Sequence, residues 1–188
     1  MRVQLFSNLP GFFQSLRQYA WGAPQVQAAQ VSTGPLAPRN ASLPREAKWL
    51  KKEMAKDAKD GVASMTHIVA HNAKMDIRSF DYGSRKPQEA TMSKAPKDGT
   101  MDLTVLMSVS GHTREADKFA QENVYNIRVT LPDGSKQTMG GIKANGEYCT
   151  AQNISFPVQK GITKVEAWPD GSAGPYGYVE GRVININY

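Results

Sequence analysis

Asn123-Val124-Tyr125-Asn126-Ile127-Arg128-Val129-Thr130-Leu131 is the stretch whose reading decides the fold class. Tyr125, Ile127, Val129 and Leu131 take alternate positions, and Val124, Asn126, Arg128 and Thr130 take the rest. Successive side chains of a strand point to opposite faces, so the run sets an apolar stripe against a core and a polar stripe outward. Pro132-Asp133-Gly134-Ser135 follows, a turn in which proline presets φ and Asp and Gly tolerate the tight positions. Lys136 to Gly141 should then return antiparallel.

The same pattern recurs outward from this run. Met101, Leu103, Val105, Met107 and Val109 alternate with Asp102, Thr104, Leu106 and Ser108. Glu147 to Val158 carries Tyr148, Ile154 and Phe156 on one face, and Ile162 to Trp168 carries Val165 and Ala167. Arg182 to Tyr188 closes the sequence with Ile184, Ile186 and Tyr188 expected inward. Met75 to Tyr82 predicts a further strand, 62–71 is apolar enough to be strand or buried helix, and 111–122 is polar with room for a helical turn. Residues 83–99 are polar and bounded by glycines, which predicts a long exposed loop. Some seven short strands divided by turn signals, with no βαβ alternation, indicate a mainly β chain: an antiparallel β-sandwich, Ig-like or C2-like.

Upstream, Pro44 stands where a first helical turn tolerates it and Gly61 just past the expected end. Ala47, Leu50, Met54 and Ala58 form a narrow apolar stripe between them, so 43–61 reads as a surface helix. Residues 22–42 are dominated by Pro, Gly, Ala, Gln, Ser and Thr, and residues 12–20 place Phe12, Phe13, Leu16 and Tyr19 at helical spacing. The expected layout is an amphipathic segment and flexible linker over 1–42, a surface helix over 43–61 and a β-sandwich over 62–188, so that a helical, partly disordered extension precedes the sheets.

Charge is divided unevenly. Residues 1–98 carry 15 Lys and Arg against 8 Asp and Glu, whereas 99–188 carry 8 against 9. A basic half is compatible with nucleic acid or an anionic membrane. Acids are interspersed among the helix lysines, which disfavours nucleic acid. No run of about 18 apolar residues is present, so no transmembrane helix is expected. Cys149 is the single cysteine, which excludes an intramolecular disulfide.

Motifs of reaction chemistry are absent. There is no GxSxG, no GxxxxGK[ST] and no GxGxxG, and no HExxH, because position 68, where that motif needs Glu, is Ile. His67 and His71, four apart with Asp76 beyond, are too few for a zinc site, so no metal and no cofactor is expected. Loop acids Asp133, Asp170 and Glu180 leave an acidic enzyme site as an alternative. The loop Trp168-Pro169-Asp170-Gly171-Ser172-Ala173-Gly174-Pro175-Tyr176-Gly177-Tyr178 offers the one binding constellation: aromatic faces beside a carboxylate can stack on a sugar or a peptide. Trp168, Asp170, Tyr176 and Tyr178 are its candidate ligand-binding residues.

Asn153-Ile154-Ser155-Phe156-Pro157, Val165-Glu166-Ala167-Trp168, Tyr178 and the closing Asn187-Tyr188 resemble the end of a family of bacterial β-sandwich domains of unknown function, itself similar to starch-binding modules. The likeness covers about a third of the chain, and Tyr178-Val179-Glu180 stands where the sugar-binding modules have Trp-Asp-Asn. The resemblance implies a non-catalytic binding module with carbohydrate as ligand and a protein surface as the next choice. A second reading is an exported interaction protein, in which the apolar start and the polar linker act as a leader.

Overall fold

The computed structural model describes residues 33–60, 65–77, 87–108, 124–169 and 182–188, which lie within one compact unit, Val31–Tyr188. The described residues form a mainly β structure with two sheets and one helix. In chain order they are β1 (Thr33–Pro35), β2 (Ala37–Pro38), α1 (Arg45–Lys59), β3 (Met65–Ala70), β4 (Lys74–Ile77), β5 (Gln88–Lys94), β6 (Thr100–Ser108), β7 (Val124–Thr130), β8 (Lys136–Lys143), β9 (Cys149–Pro157), β10 (Ile162–Pro169) and β11 (Arg182–Asn187). One sheet has seven strands in the order β1-β8-β7-β10-β11-β5-β4, and the other has four in the order β2-β9-β6-β3.

The alternation on β7 builds the first sheet as expected. Tyr125, Ile127 and Val129 are buried while Asn126, Arg128 and Thr130 are not. The turn after it closes as its chemistry requires: Gly134 N–H reaches Leu131 O, and Leu131 N–H reaches Ser135 O. Gly134 holds φ at 85°, a conformation that costs a residue with a Cβ. Strands β7 and β8 then pair antiparallel, with a bulge between Tyr125 and Ile127.

The larger of two apolar clusters among the described residues takes side chains from both sheets. Ile127, Val129, Val165, Ile184 and Ile186 come from the seven-stranded sheet, and Ile68, Leu103, Val105, Ile154 and Phe156 from the four-stranded one. Each fully buried Val, Leu or Ile contributes roughly 1.5–3 kcal/mol relative to exposure, so this shared core carries the fold. Helix α1 lies on the other face of the four-stranded sheet, where Ala47 and Met54 meet Val69, Leu106 and Cys149. That explains Leu106 at an otherwise polar position of β6. The strand is covered on both sides and is buried from Leu103 to Ser108.

Four expectations need correction. The seven-stranded sheet is mixed rather than antiparallel, because β1 runs parallel to β8 and β11 parallel to β5. The stretch 83–99, expected as loop, contains β5, whose Ala90 and Met92 enter the core while its remaining residues stay polar. Part of the expected linker 22–42 is paired: β1 and β2 lie on opposite sheets, and Leu36 between them is 3% exposed in the core. Tyr188, expected inward, is 45% exposed, because β11 ends at Asn187 and only the Tyr188 backbone pairs, with Gly161. The amphipathic segment 1–21 and the turn within 111–122 lie outside the described residues.

Candidate functional site

The outer face of the seven-stranded sheet is set by the polar halves of its alternating strands. Residue pairs in register across β7, β10 and β11 share that face: Arg128 with Glu166, Glu166 with Val183, and Lys164 with Asn185. Trp168 stands at the end of this row opposite Asn126. Arg128 Nε and Nη2 donate to Glu166 Oε2 at 3.0 and 2.7 Å. The same guanidinium lies 5.3 Å from the centre of the Trp168 ring. A planar cation over an indole face is attracted to the ring quadrupole, worth about 0.5–1 kcal/mol where solvent reaches it. The three side chains therefore brace one another: Glu166 fixes the guanidinium, and the guanidinium fixes the ring.

Amides lie farther along the same sheet. Asn185 Nδ2 donates to Glu89 Oε1 at 2.9 Å and Asn187 Nδ2 to Glu89 Oε2 at 2.8 Å, which holds the β5 carboxylate against β11. On the other flank the Asn126 side chain lies over Gly140, where an added Cβ would come within 2.6 Å of Asn126 Oδ1. Of the sequence-derived ligand residues, Trp168 is placed on this face at the end of β10. Asp170, Tyr176 and Tyr178 lie outside the described residues, as does Glu180. Asp133, the remaining loop acid, is occupied with its own turn. Hydrogen bonds from Ser135 and then Gln159 hold its carboxyl below the usual carboxylate range, with Ser135 N at 2.8 Å and Gln159 Nε2 at 2.8 Å.

A second polar cluster went unseen in the sequence. It lies on the helix-side face of the four-stranded sheet, beyond the apolar patch under α1. Arg39 Nη1 is 2.7 Å from His71 Nδ1 and 3.1 Å from Asp102 Oδ2. His71 Nε2 is 2.7 Å from Thr104 Oγ1, which is 2.7 Å from Asn153 Oδ1. Asn153 Nδ2 donates to Ala41 O at 2.6 Å, and Ser155 Oγ donates to Asp102 Oδ1 at 2.5 Å.

The chemistry of the donors orients every proton in this chain of bonds. A guanidinium only donates, so His71 Nδ1 accepts and the imidazole is neutral with its proton on Nε2. That proton goes to Thr104, the Thr104 hydroxyl donates to Asn153 Oδ1, and the Asn153 amide donates to the Ala41 carbonyl. Burial lowers the His71 pKa first and the Arg39 charge second, against an opposing pull from Asp102. The relay clamps residues 39–41, which lead from β2 into α1, onto β6 and β9. His71 and Thr104 have the contact distance of a base and a nucleophile. Thr104 is 0% exposed, however, and its proton is already committed to Asn153. The cluster is therefore a clasp.

The histidine spacing does not make a metal site either. His67 is on β3 and His71 just past its end, so four residues of extended chain separate their Cα atoms by roughly 13 Å. Among the described residues no three His, Cys, Asp or Glu side chains are grouped to hold a metal ion. Cys149 is fully buried beneath α1, and burial pushes its thiol up to about 12.

No protein-family model matches this chain. No curated protein matches it either. A solved structure described as the N-terminal domain of PorA matches at 15% identity and a TM-score of 0.26, over 66% of this chain and 97% of that one. A likeness of that size carries no argument about fold or function. Among the described residues no helix is long and apolar enough to cross a membrane.

Proposed function

We propose that the chain is a non-catalytic β-sandwich binding module of the Ig-like or C2-like kind, which meets a carbohydrate at Trp168 on the outer face of its seven-stranded sheet. The observation that supports this reading is the braced ring: Trp168 is stacked by Arg128, and Arg128 is tied to Glu166. A sugar ring presents C–H groups to an indole and hydroxyls to neighbouring donors and acceptors. Arg128, Glu166 and the amide of Asn126 supply such partners on the same face. A ring already held by its neighbours loses little freedom on binding, which favours affinity from a small contact. Asp170, Tyr176 and Tyr178 follow Trp168 in sequence and would extend the contact.

The same pair supports a second reading, a protein partner, because Trp and Arg are the side chains that most often dominate protein interfaces. Binding to an array of soluble and immobilised glycans, with Trp168→Ala alongside, separates the two. The carbohydrate reading expects glycan binding that Trp168→Ala abolishes. Silence across the array removes that reading, and glycan binding unchanged in Trp168→Ala removes the site.

A further inference from the structure

Read along the chain, the cations and acids of α1 alternate. Wound into a helix, they separate. At about 100° per residue, Arg45, Trp49, Lys52, Lys56 and Lys59 fall within an arc of about 80°, with Lys48 just beyond it. The buried stripe of Ala47, Met54 and Ala58 lies diametrically opposite. The outermost line of the helix is therefore cationic along its whole length, interrupted only by Trp49, which is 62% exposed. The acids Glu46, Glu53 and Asp57 fall together on the flank between that line and the sheet, and Glu53 and Asp57 are half-buried there.

This arrangement is costly to the helix itself. Lys48 and Lys52 stand i,i+4, as do Lys52 and Lys56, and like charges at that spacing repel. Arg45 in the first turn also opposes the helix dipole, which favours only Lys56 and Lys59 at the other end. Among the described residues the helix makes one ion pair, Lys51 to Glu147 at 2.7 Å, and Lys51 lies on the sheet side of the helix. Among the described residues the outer cations make no ion pair within the fold.

We propose that this ridge is a docking surface for an anionic lipid bilayer, with the cations meeting headgroup phosphates and carboxylates and Trp49 entering the interface between them. Shape selects this occupant. A convex ridge touches a plane along its crest alone, so a flat anionic surface meets Arg45, Lys52, Lys56 and Lys59 and leaves Glu53 and Asp57 to the side. A duplex groove that embraces the helix would bring phosphates against those acids. An aromatic ring amid cations also matches the headgroup level, where indoles with one apolar and one hydrogen-bonding side reside. About 22 Å of helix lies flat in this arrangement without spanning anything.

The test is co-sedimentation of the full chain with phosphatidylcholine vesicles, with and without phosphatidylserine, at low and raised salt. Binding is expected only with phosphatidylserine, weakened by salt, and reduced about tenfold or more in Lys52→Glu/Lys56→Glu, since each cation near such a surface contributes several-fold. Trp49→Ala should also weaken binding. Because all three positions are exposed, circular dichroism should show these variants folded as the parent is. Vesicle binding that survives Lys52→Glu/Lys56→Glu overturns the proposal, since other residues would then be responsible. So does no binding to phosphatidylserine, or binding to poly-dT or polyglutamate that is tighter than to the vesicles.

Discussion

Replacing Thr104 by valine tests the clasp on the four-stranded sheet with the least change of shape. Thr and Val are nearly isosteric, so the core around β6 keeps its volume and only the hydroxyl is lost. That hydroxyl accepts from His71 Nε2 and donates to Asn153 Oδ1, both at 2.7 Å. His71 is only partly buried, and water can satisfy its released proton. Asn153 is 6% exposed, and its Oδ1 loses the donor it has. A buried acceptor left unmet costs roughly 1–3 kcal/mol, so Thr104→Val should destabilise the fold by about 2 kcal/mol. For a chain of 188 residues that corresponds to a fall in Tm of about 4–8 °C, readable by calorimetry or circular dichroism. Thr104→Ser keeps the hydroxyl and should retain the His71 proton on Nε2, visible in the imidazole nitrogen shifts. A Tm for Thr104→Val equal to or above the parent, or a His71 proton on Nδ1 in the parent, would refute the relay.

The remaining predictions follow from neighbouring features. Burial lowers the pKa of His67, and burial with the Arg39 charge lowers that of His71. The unfolded chain therefore binds more protons than the folded one below the free value of 6.5. Urea midpoints should be level from that pH up to the range where a free thiol ionises, and fall as pH drops through the lowered folded values; a midpoint that rises on acidification contradicts the sign. The Cys149 thiol, raised to about 12, should ignore a disulfide reagent at mildly alkaline pH until the chain is unfolded, and prompt labelling of native protein would show that α1 does not seal it. Gly161 holds φ at 120°, and an added Cβ would lie 3.0 Å from Pro132 Cβ. Gly161→Ala should accordingly lower stability by about 1–3 kcal/mol in denaturant titrations, whereas an unchanged midpoint would mean the turn relaxes freely. Arg128→Ala removes a half-exposed ion pair and a stacked cation, so it should cost no more than about 1–2 kcal/mol while altering Trp168 emission.

How much of this was legible depends on how local each feature is. The alternation of Tyr125, Ile127 and Val129 carries its own strand assignment, because the period is written within the run and both its faces have a clear character. The run from Gln88 to Lys94 has only Ala90 and Met92 to mark a buried side. It becomes a strand because β11 lies beside it, some hundred residues on in sequence. Strands β1 and β2 are too short and too rich in proline to show a period, and Leu36 is a single apolar residue in polar company. Parallel pairing leaves no local signature, so strand alternation alone implies an antiparallel sheet where the structure has a mixed one. Trp168 is a candidate by its type and its glycine-rich surroundings. Its brace is not legible, since Arg128 and Glu166 are 38 positions apart. The clasp was hidden for the same reason: Arg39, His71, Asp102 and Asn153 come from separate parts of the chain, and none belongs to a motif. The charge ridge on α1 is local but emerges only when the residues are placed on a helical wheel rather than counted along the sequence.

Central to this account is that ligand is met at the braced Trp168. The most direct measurement is a titration of soluble glucans into isotope-labelled protein, following the Trp168 indole N–H and the Arg128 Nε–H by NMR. The account predicts saturable shifts of both signals together, with the amide of Asn126 moving at the same midpoint. Signals that stay still while other parts of the chain respond, or that do not move with any glucan, would contradict it.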